Sequence, residues 1–407
     1  MAVVIAVFVV VGGTAHGADS GWTQRALQLQ HELGNDVGMV NAPWLGTHNS
    51  FNSLAEMGVA LSPLDSNQQI SITDQLDAGI RSIELDLHWF PSLGSLGQKR
   101  PTVCHAQGPH VGCTVEKTLD RVLTEVRAWL LDNPDQVLMI YFEDHLDGQK
   151  GYAEATHDVH QGLAGLLYRP RGGSRKCQEL PGELTRNQVL AAGRQVIAVG
   201  SCGIGERWPT VSYAWSDHYE DQPTSRFMDF PACDSDVSRT GYKTRLIRYY
   251  EDSTTLSYIV SQGGSGEERV TPEMAGRLVR CGVDLIGLDQ VMREDPRLDA
   301  LVWSWAPGQP ASGSCSLQGD TGRWVSSSCR GRLPAACRDG IRWSVTPRAV
   351  PVSGAARACR RQGGQFAVPR TGYEGQLLKV AAERAAAGHV WLGQRRAGSA
   401  WRALDKR

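Results

Sequence analysis

The chain has 407 residues, of which 41% are hydrophobic and 21% are charged. That composition is ordinary for a globular protein and excludes a wholly disordered chain, and the length suffices for one large domain and a smaller one. Because the formal net charge is only -1, the chain has no overall basic character, and we predict no nucleic-acid partner.

The first segment, Met1 to Ala18, is predicted to be a secretion signal. An apolar run from Ala2 to Val11 is followed by small residues and by a cleavage-site pattern at Ala15 to Ala18. The run is shorter than the roughly 20 residues that a membrane-spanning helix needs, which favours a signal over a membrane anchor. We therefore expect a secreted, extracellular protein.

The cysteines agree with export and divide the rest of the chain into two regions. All ten lie after the predicted signal, and an even number in an exported chain favours disulfides over metal thiolates. Six fall in the first region and four in the second, namely Cys104, Cys113, Cys177, Cys202, Cys233 and Cys281, then Cys315, Cys329, Cys337 and Cys359. We predict a large domain over residues 36–306, a linker rich in Pro, Gly and Ser over 307–314, and a small domain over 315–407.

The large domain is predicted to be a barrel, because short apolar runs alternate with helical or loop-like stretches. Eight such runs are typical of an α/β fold of the TIM-type (β/α)8 class. They are Met39 to Leu45, Ser82 to His88, Thr102 to His105, Val137 to Phe142, Val196 to Gly200, Leu256 to Val260, Val283 to Leu288 and Leu301 to Trp305, with Tyr213 to Trp215 as a competing strand. Helices are predicted at Gln75 to Gly79, Val115 to Leu131, Ala153 to Leu167 and Pro272 to Cys281.

Acidic residues follow one face of the second predicted strand. Side chains alternate along a strand, so Glu84, Asp86 and His88 share a face. Buried charges need compensation, which indicates a cation or a water-filled cavity. Glu143, at the end of the fourth run, brings a third carboxylate to the rim where barrel enzymes place their chemistry. Oxygen ligands of this kind suit Ca²⁺ or Mg²⁺.

Five short motifs follow one another in the large domain. They are Gly46-Thr47-His48-Asn49-Ser50, Gly79-Ile80-Arg81, Glu84-Leu85-Asp86, Cys104-His105 and Phe142-Glu143-Asp144-His145. In this order they resemble the X region of phosphatidylinositol-specific phospholipase C, and the resemblance covers roughly residues 36 to 305. It implies that His48 and His105 perform acid-base catalysis.

The resemblance also implies a metal. In Ca²⁺-dependent members of that family, residues at the positions of Asn49, Glu84, Asp86 and Glu143 bind the ion. Metal-independent bacterial members carry an Arg where this chain has His88, so Ca²⁺ is expected, with Mg²⁺ as the less favoured ion.

Two further residues are assigned to the substrate side of the site. These are His88 and Asp289, and Asp289 is also a candidate to orient His48, with a structural hydrogen bond as the alternative.

The predicted function is cleavage of a phospholipid or glycerophosphodiester. His48 would take a proton from an inositol 2-hydroxyl and His105 would protonate the leaving oxygen, giving a cyclic inositol phosphate first. One alternative is a glycerophosphodiesterase or sphingomyelinase-D-like enzyme. The first active-site motif of those enzymes typically carries a His-Arg or His-Met pair, where this chain has His48-Asn49. Another is a secreted binding protein without catalysis. The sequence leaves the oligomeric state open.

The tail is strongly basic. From Cys315 onward there are 17 Lys and Arg against 5 Asp and Glu, a charge of about +12, which leaves about -13 for the preceding part. Clustered Lys and Arg each gain roughly 1 kcal/mol near an anionic membrane, so peripheral membrane contact is one interpretation. An arginine-rich composition without a partner is the other.

The tail also contains the segments Ala358 to Gly364 and Val390 to Gly393, and before them Cys315 to Cys337. The first two resemble the first half of a C-type lectin-like domain, and the third resembles its second half. The halves appear in reversed order, so either two incomplete copies lie in series or the domain is permuted. If the domain is permuted, the resemblance implies pairing of Cys315 with Cys329 and of Cys337 with Cys359. The sugar-binding calcium motifs of true lectins are missing from the sequence, so carbohydrate recognition is not expected.

Overall fold

A computed structural model describes residues 20–56, 66–91, 96–105, 113, 117–169, 177–203, 206–215, 219–221, 228–235, 246–251 and 269–405. The predicted signal, Met1 to Ala18, and the predicted strand Leu256 to Val260 lie outside these residues. Among the helices that are described, none is long and apolar enough to cross a membrane.

Eight parallel strands form the barrel in the described part of the chain. The main sheet contains β1 (Trp44–Thr47), β2 (Ser82–Phe90), β3 (Arg100–Val103), β4 (Leu138–His145), β5 (Val196–Gly200), β6 (Tyr213–Ala214), β7 (Tyr219–Asp221), β8 (Leu246–Tyr250) and β9 (Leu285–Leu288). The parallel strands follow the order β6-β5-β4-β2-β1-β9-β8-β7, and β3 pairs with β2 in the antiparallel direction. The predicted TIM-type α/β barrel is confirmed, with a seam between β6 and β7 across which no pairing is described.

Helices surround this sheet. They are α1 (Ser20–Leu33), α2 (Ile72–Asp77), α3 (Leu119–Asp132), α4 (Gly148–Gly162), α5 (Arg186–Ala191), α6 (Pro272–Arg280) and α7 (Pro296–Leu301). On α3, Leu119, Val122 and Leu123 recur at helical spacing and are buried against the sheet. The four helices predicted from sequence are present as α2, α3, α4 and α6, with shifted ends.

Three predicted strands are corrected. Residues Met39–Asn41 form a 3-10 helix, and β1 begins only at Trp44. The run Thr102 to His105 belongs to β3, which turns back along β2 and is not a barrel strand. The run Leu301 to Trp305 begins at the last residue of α7 and is not a barrel strand. It is apolar because Trp305 packs against Trp324 and Trp401 of the tail.

Alternation of side chains along the strands separates two apolar layers. One set fills the barrel and includes Trp44, Met139, Val199, Leu246 and Leu285. The opposite faces pack against the helices. At the carboxyl ends of the strands the inward positions become polar, and these ends carry the candidate site.

The tail has its own strands, helices and disulfides. Its strands are β10 (Cys315–Gln318), β11 (Trp324–Ser327), β12 (Arg332–Leu333), β13 (Ala336–Asp339), β14 (Arg342–Val345), β15 (Val350–Pro351), β16 (Gln365–Phe366), β17 (Val390–Ala397) and β18 (Ala400–Ala403), and its helices are α8 (Val352–Arg360) and α9 (Gly372–Arg384). The bonds Cys315–Cys329 and Cys337–Cys359 confirm the expected tail pairing. Within the barrel region the bonds are Cys104–Cys113, Cys177–Cys202 and Cys233–Cys281.

The tail packs on the end of the barrel where the strands begin. Arg370 of the tail has a fully buried side chain and donates to Asp36, 3.0 Å away, in the segment that precedes β1. It also contacts Asp405 at 3.2 Å. Trp305 and Trp401 belong to one hydrophobic core that joins barrel and tail. The tail therefore lies away from the rim at the carboxyl ends of the strands.

Candidate active site

Five predicted site residues meet at the carboxyl ends of neighbouring strands. His48 follows β1, Glu84 and Asp86 lie on β2, Glu143 lies on β4, and Asp289 follows β9. The parallel register places Asp86 beside Glu143, and β1 pairs with both β2 and β9. Parallel strands thus bring residues from distant parts of the sequence to one rim.

His48 is held from behind by Asp289. The Nδ1 atom of His48 lies 3.1 Å from Oδ2 of Asp289, whose side chain is fully buried. Asn67 and Gln68 donate to the same carboxylate at 3.3 and 3.1 Å. The contact required for the predicted orienting role is present. Its complete burial fits that positioning role, and its assignment to the substrate side remains a prediction.

Acidic neighbours favour the protonated form of His48. Burial lowers the pKa of His48, but the charge and hydrogen bond of Asp289, together with Glu84 and Asp86, outweigh it and raise the pKa to about 10. The Nε2 atom lies 4.0 Å from Oε2 of Glu84.

Asn49 links the histidine to the acidic residues. Its backbone has a φ of 43°, a left-handed conformation that Asn tolerates better than most residues. Its backbone amide donates to Oε2 of Glu84 at 3.2 Å. In the orientation that satisfies both ends of the carboxamide, the nitrogen donates to Asp86 at 2.9 and 3.0 Å and the oxygen accepts from Nε2 of His48 at 3.2 Å.

Glu84, Asp86 and Glu143 form what we call the acidic cluster. Their carboxylate oxygens lie within 4.8 Å of one another, and Glu84 and Asp86 are buried. Burial raises the pKa of Glu84 to about 7, against the opposing charge of His48. Burial and the neighbouring carboxylates raise the pKa of Asp86 well above its ordinary value. Close carboxylates of this kind fit a hard divalent cation.

His105 reaches the same rim by a different route. It comes directly after β3, and the backbone amide of Cys104 donates to the carbonyl oxygen of Asp86 at 3.2 Å. The chain therefore arrives at His105 level with the acidic cluster. The disulfide Cys104–Cys113 braces this point. His105 is half-buried.

His88 lies farther along β2, past the acidic cluster. Its side chain is buried, and its ring stacks on His145 of β4 with ring centroids 4.7 Å apart. The ring therefore packs against a neighbouring strand, and the direct contact between His88 and a substrate remains a prediction.

Sequence reasoning missed an aromatic and basic group on β8. The rings of Tyr250 and His48 are 6.0 Å apart, and the guanidinium of Arg248 lies 5.1 Å from the Tyr250 ring and 5.7 Å from the Tyr141 ring. A Cβ at Gly287 would lie 2.1 Å from the Tyr250 ring, so Tyr250 requires glycine there. The period-two spacing of Arg248 and Tyr250 could have signalled this strand.

Comparisons with known proteins identify the family. The model of the family described as the Rv2075c PI-PLC-like domain matches residues 5–295. The chain belongs to this family. It is 39% identical over 390 residues to the uncharacterized protein Rv2075c of Mycobacterium tuberculosis, a match that covers 91% of this chain and 79% of the relative. The predicted phospholipase C-like resemblance is confirmed, and the family supports a phosphodiester-cleaving function.

More distant matches cover the barrel region in part. A PI-PLC X domain-containing protein of Arabidopsis thaliana is 27% identical over 42% of this chain and 38% of its own length. PI-PLC X domain-containing protein 1 of Mus musculus is 26% identical over 40% of this chain and 43% of its own length.

Solved structures of bacterial phospholipases are also similar. The phosphatidylinositol-specific phospholipase C of Listeria monocytogenes matches with 13% identity and a TM-score of 0.45, covering 68% of this chain and 97% of that chain. The family match ends before the tail, and the C-type lectin-like resemblance remains a prediction.

Proposed function

We propose that the protein is a Ca²⁺-assisted phosphodiesterase that cleaves phosphatidylinositol-type lipids through a cyclic inositol phosphate. The observation that carries this proposal is the position of His48, 3.1 Å from buried Asp289 on one side and joined through Asn49 to the acidic cluster on the other. A base held beside a cation-binding cluster is the arrangement that such a cleavage needs.

The acidic cluster would hold the cation together with the carboxamide oxygen of Asn49, once that group is turned so that its oxygen faces Asp86. Several protein oxygens from three strand ends suit Ca²⁺ better than Mg²⁺, which usually keeps several waters and only one or two carboxylates. When bound, the ion supplies positive charge that stabilises the negative charge developing on the oxygens of the phosphodiester.

The two histidines would move the protons. His48 accepts the proton of the attacking hydroxyl at Nε2, while its Nδ1–H continues to donate a hydrogen bond to Asp289. Asp289 raises the pKa of His48 most, but Glu84 and Asp86, which also raise it, belong to the proposed cation site. His48 would therefore lose its proton more readily once the charge of those two acids is neutralised. His105 would donate a proton to the leaving glycerol oxygen.

Arg248 and Tyr250 support an anionic substrate that carries a ring. The guanidinium of Arg248 brings positive charge to the barrel mouth, and Tyr250 places an aromatic ring beside His48. Burial raises the pKa of Tyr250 well above its ordinary value, so its phenol stays neutral and adds no repelling charge. A phosphorylated or unphosphorylated inositol ring is compatible with this surface.

Secretion and peripheral membrane contact are parts of the proposal. The five disulfides support an oxidising compartment. In the basic tail Arg395 lies directly opposite Arg402 across β17 and β18, and both are exposed. Like charges in opposite positions are unfavourable by themselves, which supports an anionic partner.

Cosedimentation with anionic vesicles tests the membrane part. We expect binding that weakens at high salt and in the double variant Arg395→Gln with Arg402→Gln, because the contact is electrostatic. Equal binding by wild type and double variant would contradict it.

The catalytic proposal is tested by release of water-soluble phosphate esters from phosphatidylinositol micelles. We expect turnover with Ca²⁺, loss of turnover with a chelator, and a loss of roughly 10²-fold or more in Glu84→Gln because charge stabilisation is removed. The matched control is Glu183→Gln, since Glu183 is exposed outside the cluster.

The other outcomes separate the alternatives. Turnover that is unchanged by the chelator and by the Glu84→Gln substitution would contradict the metal-assisted mechanism. Turnover of sphingomyelin or lysophosphatidylcholine alone would favour the glycerophosphodiesterase or sphingomyelinase-D-like alternative. Folded protein without any turnover would favour a binding protein.

A further inference from the structure

Glu143 differs from the other two members of the acidic cluster in its surroundings. Glu84 and Asp86 are buried, whereas the side chain of Glu143 is 43% exposed. Burial limits the rotamers of the first two, but an exposed carboxylate at a strand end rotates freely unless a neighbour holds it. A cation site that includes Glu143 therefore requires a second group that fixes this carboxylate.

His145 is placed to hold it. It lies two residues after Glu143 on β4, and alternation along the strand brings both side chains to the same face. The Nε2 atom of His145 lies 2.9 Å from Oε1 of Glu143. Within the residues that the structure describes, this is the hydrogen bond that the Glu143 side chain makes.

The ring of His145 is itself braced. The parallel register places His145 beside His88 of β2, and the two rings stack at 4.7 Å with an interplanar angle of 21°. His88 is buried, with 3% of its surface exposed. A buried ring thus supports a partly exposed one, and the plane of the His145 imidazole is set by the neighbouring strand.

We propose that His145 is a positioning residue that fixes Glu143 for binding of a divalent cation, with His88 as the stacking surface that orients it. The inference rests on the proposed Ca²⁺ site and goes beyond it by naming the residues that orient its most exposed ligand. Outer groups that hydrogen-bond a ligating carboxylate commonly change metal affinity by about 10- to 100-fold. A surface ion pair without this role would change the affinity little.

The test is calorimetric titration of the full chain with CaCl₂. His145→Phe keeps a flat ring for stacking on His88 but removes the donor to Glu143, and we expect the Kd for Ca²⁺ to rise by about 10- to 100-fold. His145→Gln keeps a donor and should recover part of that loss. The matched control, His389→Phe, changes an exposed histidine of the tail and should leave the Kd unchanged.

Turnover separates positioning from catalysis. At saturating Ca²⁺ we expect His145→Phe to regain a kcat close to that of wild type, because only the affinity for the ion is reduced. A Kd for Ca²⁺ in His145→Phe within twofold of wild type overturns the inference alone. If that variant does not fold, a wild-type Kd in a folded His145→Leu, which also lacks the donor, does the same. If the wild-type protein itself binds no Ca²⁺, both the proposed metal site and the inference about His145 are wrong.

Discussion

His48 has the most constrained surroundings of the predicted catalytic residues. Asp289 lies at its Nδ1 atom and the carboxamide of Asn49 at its Nε2 atom. Asp289 in turn accepts from Asn67 and Gln68, which come from the segment after β1. Contacts at both nitrogens fix the orientation of the ring, which is the preorganisation that acid-base catalysis needs.

Alanine at either predicted catalytic histidine should nearly abolish turnover. General acid-base groups contribute about 10²- to 10⁴-fold each, so His48→Ala and His105→Ala should both lose activity by that order. Thermal unfolding should change little for His105→Ala, since that residue follows a strand end braced by the Cys104–Cys113 bond. Full activity in His105→Ala would remove it from the mechanism.

Asp289→Asn should lower the pKa of His48. In the absence of a divalent cation that pKa is raised from 6.5 to about 10, and Asp289 is the first of the acids that raise it. NMR titration of the histidine side chains in chelator measures the shift, with Asp229→Asn as an exposed control. An unchanged titration in Asp289→Asn would show that the charge of Asp289 does not act on His48.

The same shift predicts how stability depends on pH. A histidine whose pKa is higher in the folded protein contributes stability that is complete below pH 6.5 and is lost as the pH rises toward 10. In Asp289→Asn the loss should be complete at a lower pH, as measured by thermal unfolding in chelator across this range. Parallel curves for the two proteins would contradict the assignment.

Among the elements, α4 carries a buried acid that weakens the fold near neutral pH. Asp158 is buried, and burial raises its pKa to about 6 even though Arg100 lies 3.5 Å away. The pKa of Asp158 in the folded protein exceeds its ordinary value of 3.8. The contribution of Asp158 to the stability of the fold is therefore fully present below pH 3.8 and is lost as the pH rises through 6. A neutral side chain at this position avoids that loss.

Asp158→Asn should therefore stabilise the protein at pH 8. We expect a gain on the order of 1 kcal/mol in the free energy of unfolding, reduced by the lost contact with Arg100. The gain should disappear at about pH 3, below the ordinary pKa of 3.8, where Asp158 is protonated in both states. Denaturant unfolding at the two pH values measures it, and equal gains at both would contradict the role of burial.

The sequence predicts the elements that have a strong pattern and misses those that depend on distant partners. β2, β4 and β5 are apolar runs whose alternation or length is evident, and they place Glu84, Asp86 and Glu143 correctly on one rim. The direction of β3 follows from its pairing with β2, which no local pattern reveals. In β8 the side chains of Arg248 and Tyr250 point inward at alternate positions. Because these side chains are polar, a search for apolar runs does not detect the strand.

At the scale of the whole molecule, the tail is joined to the barrel through buried charges as well as apolar packing. Arg370 lies between Asp36 of the barrel region and Asp405 of the tail, and the side chains of Arg370 and Asp405 are fully buried. The apolar run Leu301 to Trp305 resembles a barrel strand in the sequence. It is apolar because Trp305 is buried against Trp324 of the tail, a contact that the run itself does not reveal. This contact between regions is not readable from local pattern.

Arg370→Ala should destabilise barrel and tail together. Removing one partner of a buried ion pair leaves an uncompensated charge and typically costs about 3 to 5 kcal/mol. We expect one cooperative transition in urea, shifted to lower concentration, when followed by tryptophan fluorescence. The control is Arg384→Ala, an exposed position at the end of α9. Loss of the tail signal alone, with the barrel unchanged, would show that the two regions are not coupled.

We propose that His48, His105 and the acidic cluster cleave an inositol phosphodiester by attack of the neighbouring hydroxyl. Phosphorus NMR of the products formed from phosphatidylinositol tests it most directly. We expect the resonance of a cyclic inositol phosphate as the first product, present with Ca²⁺ and absent with chelator. A first product that is acyclic, or a cyclic product that forms equally well in chelator, would contradict it.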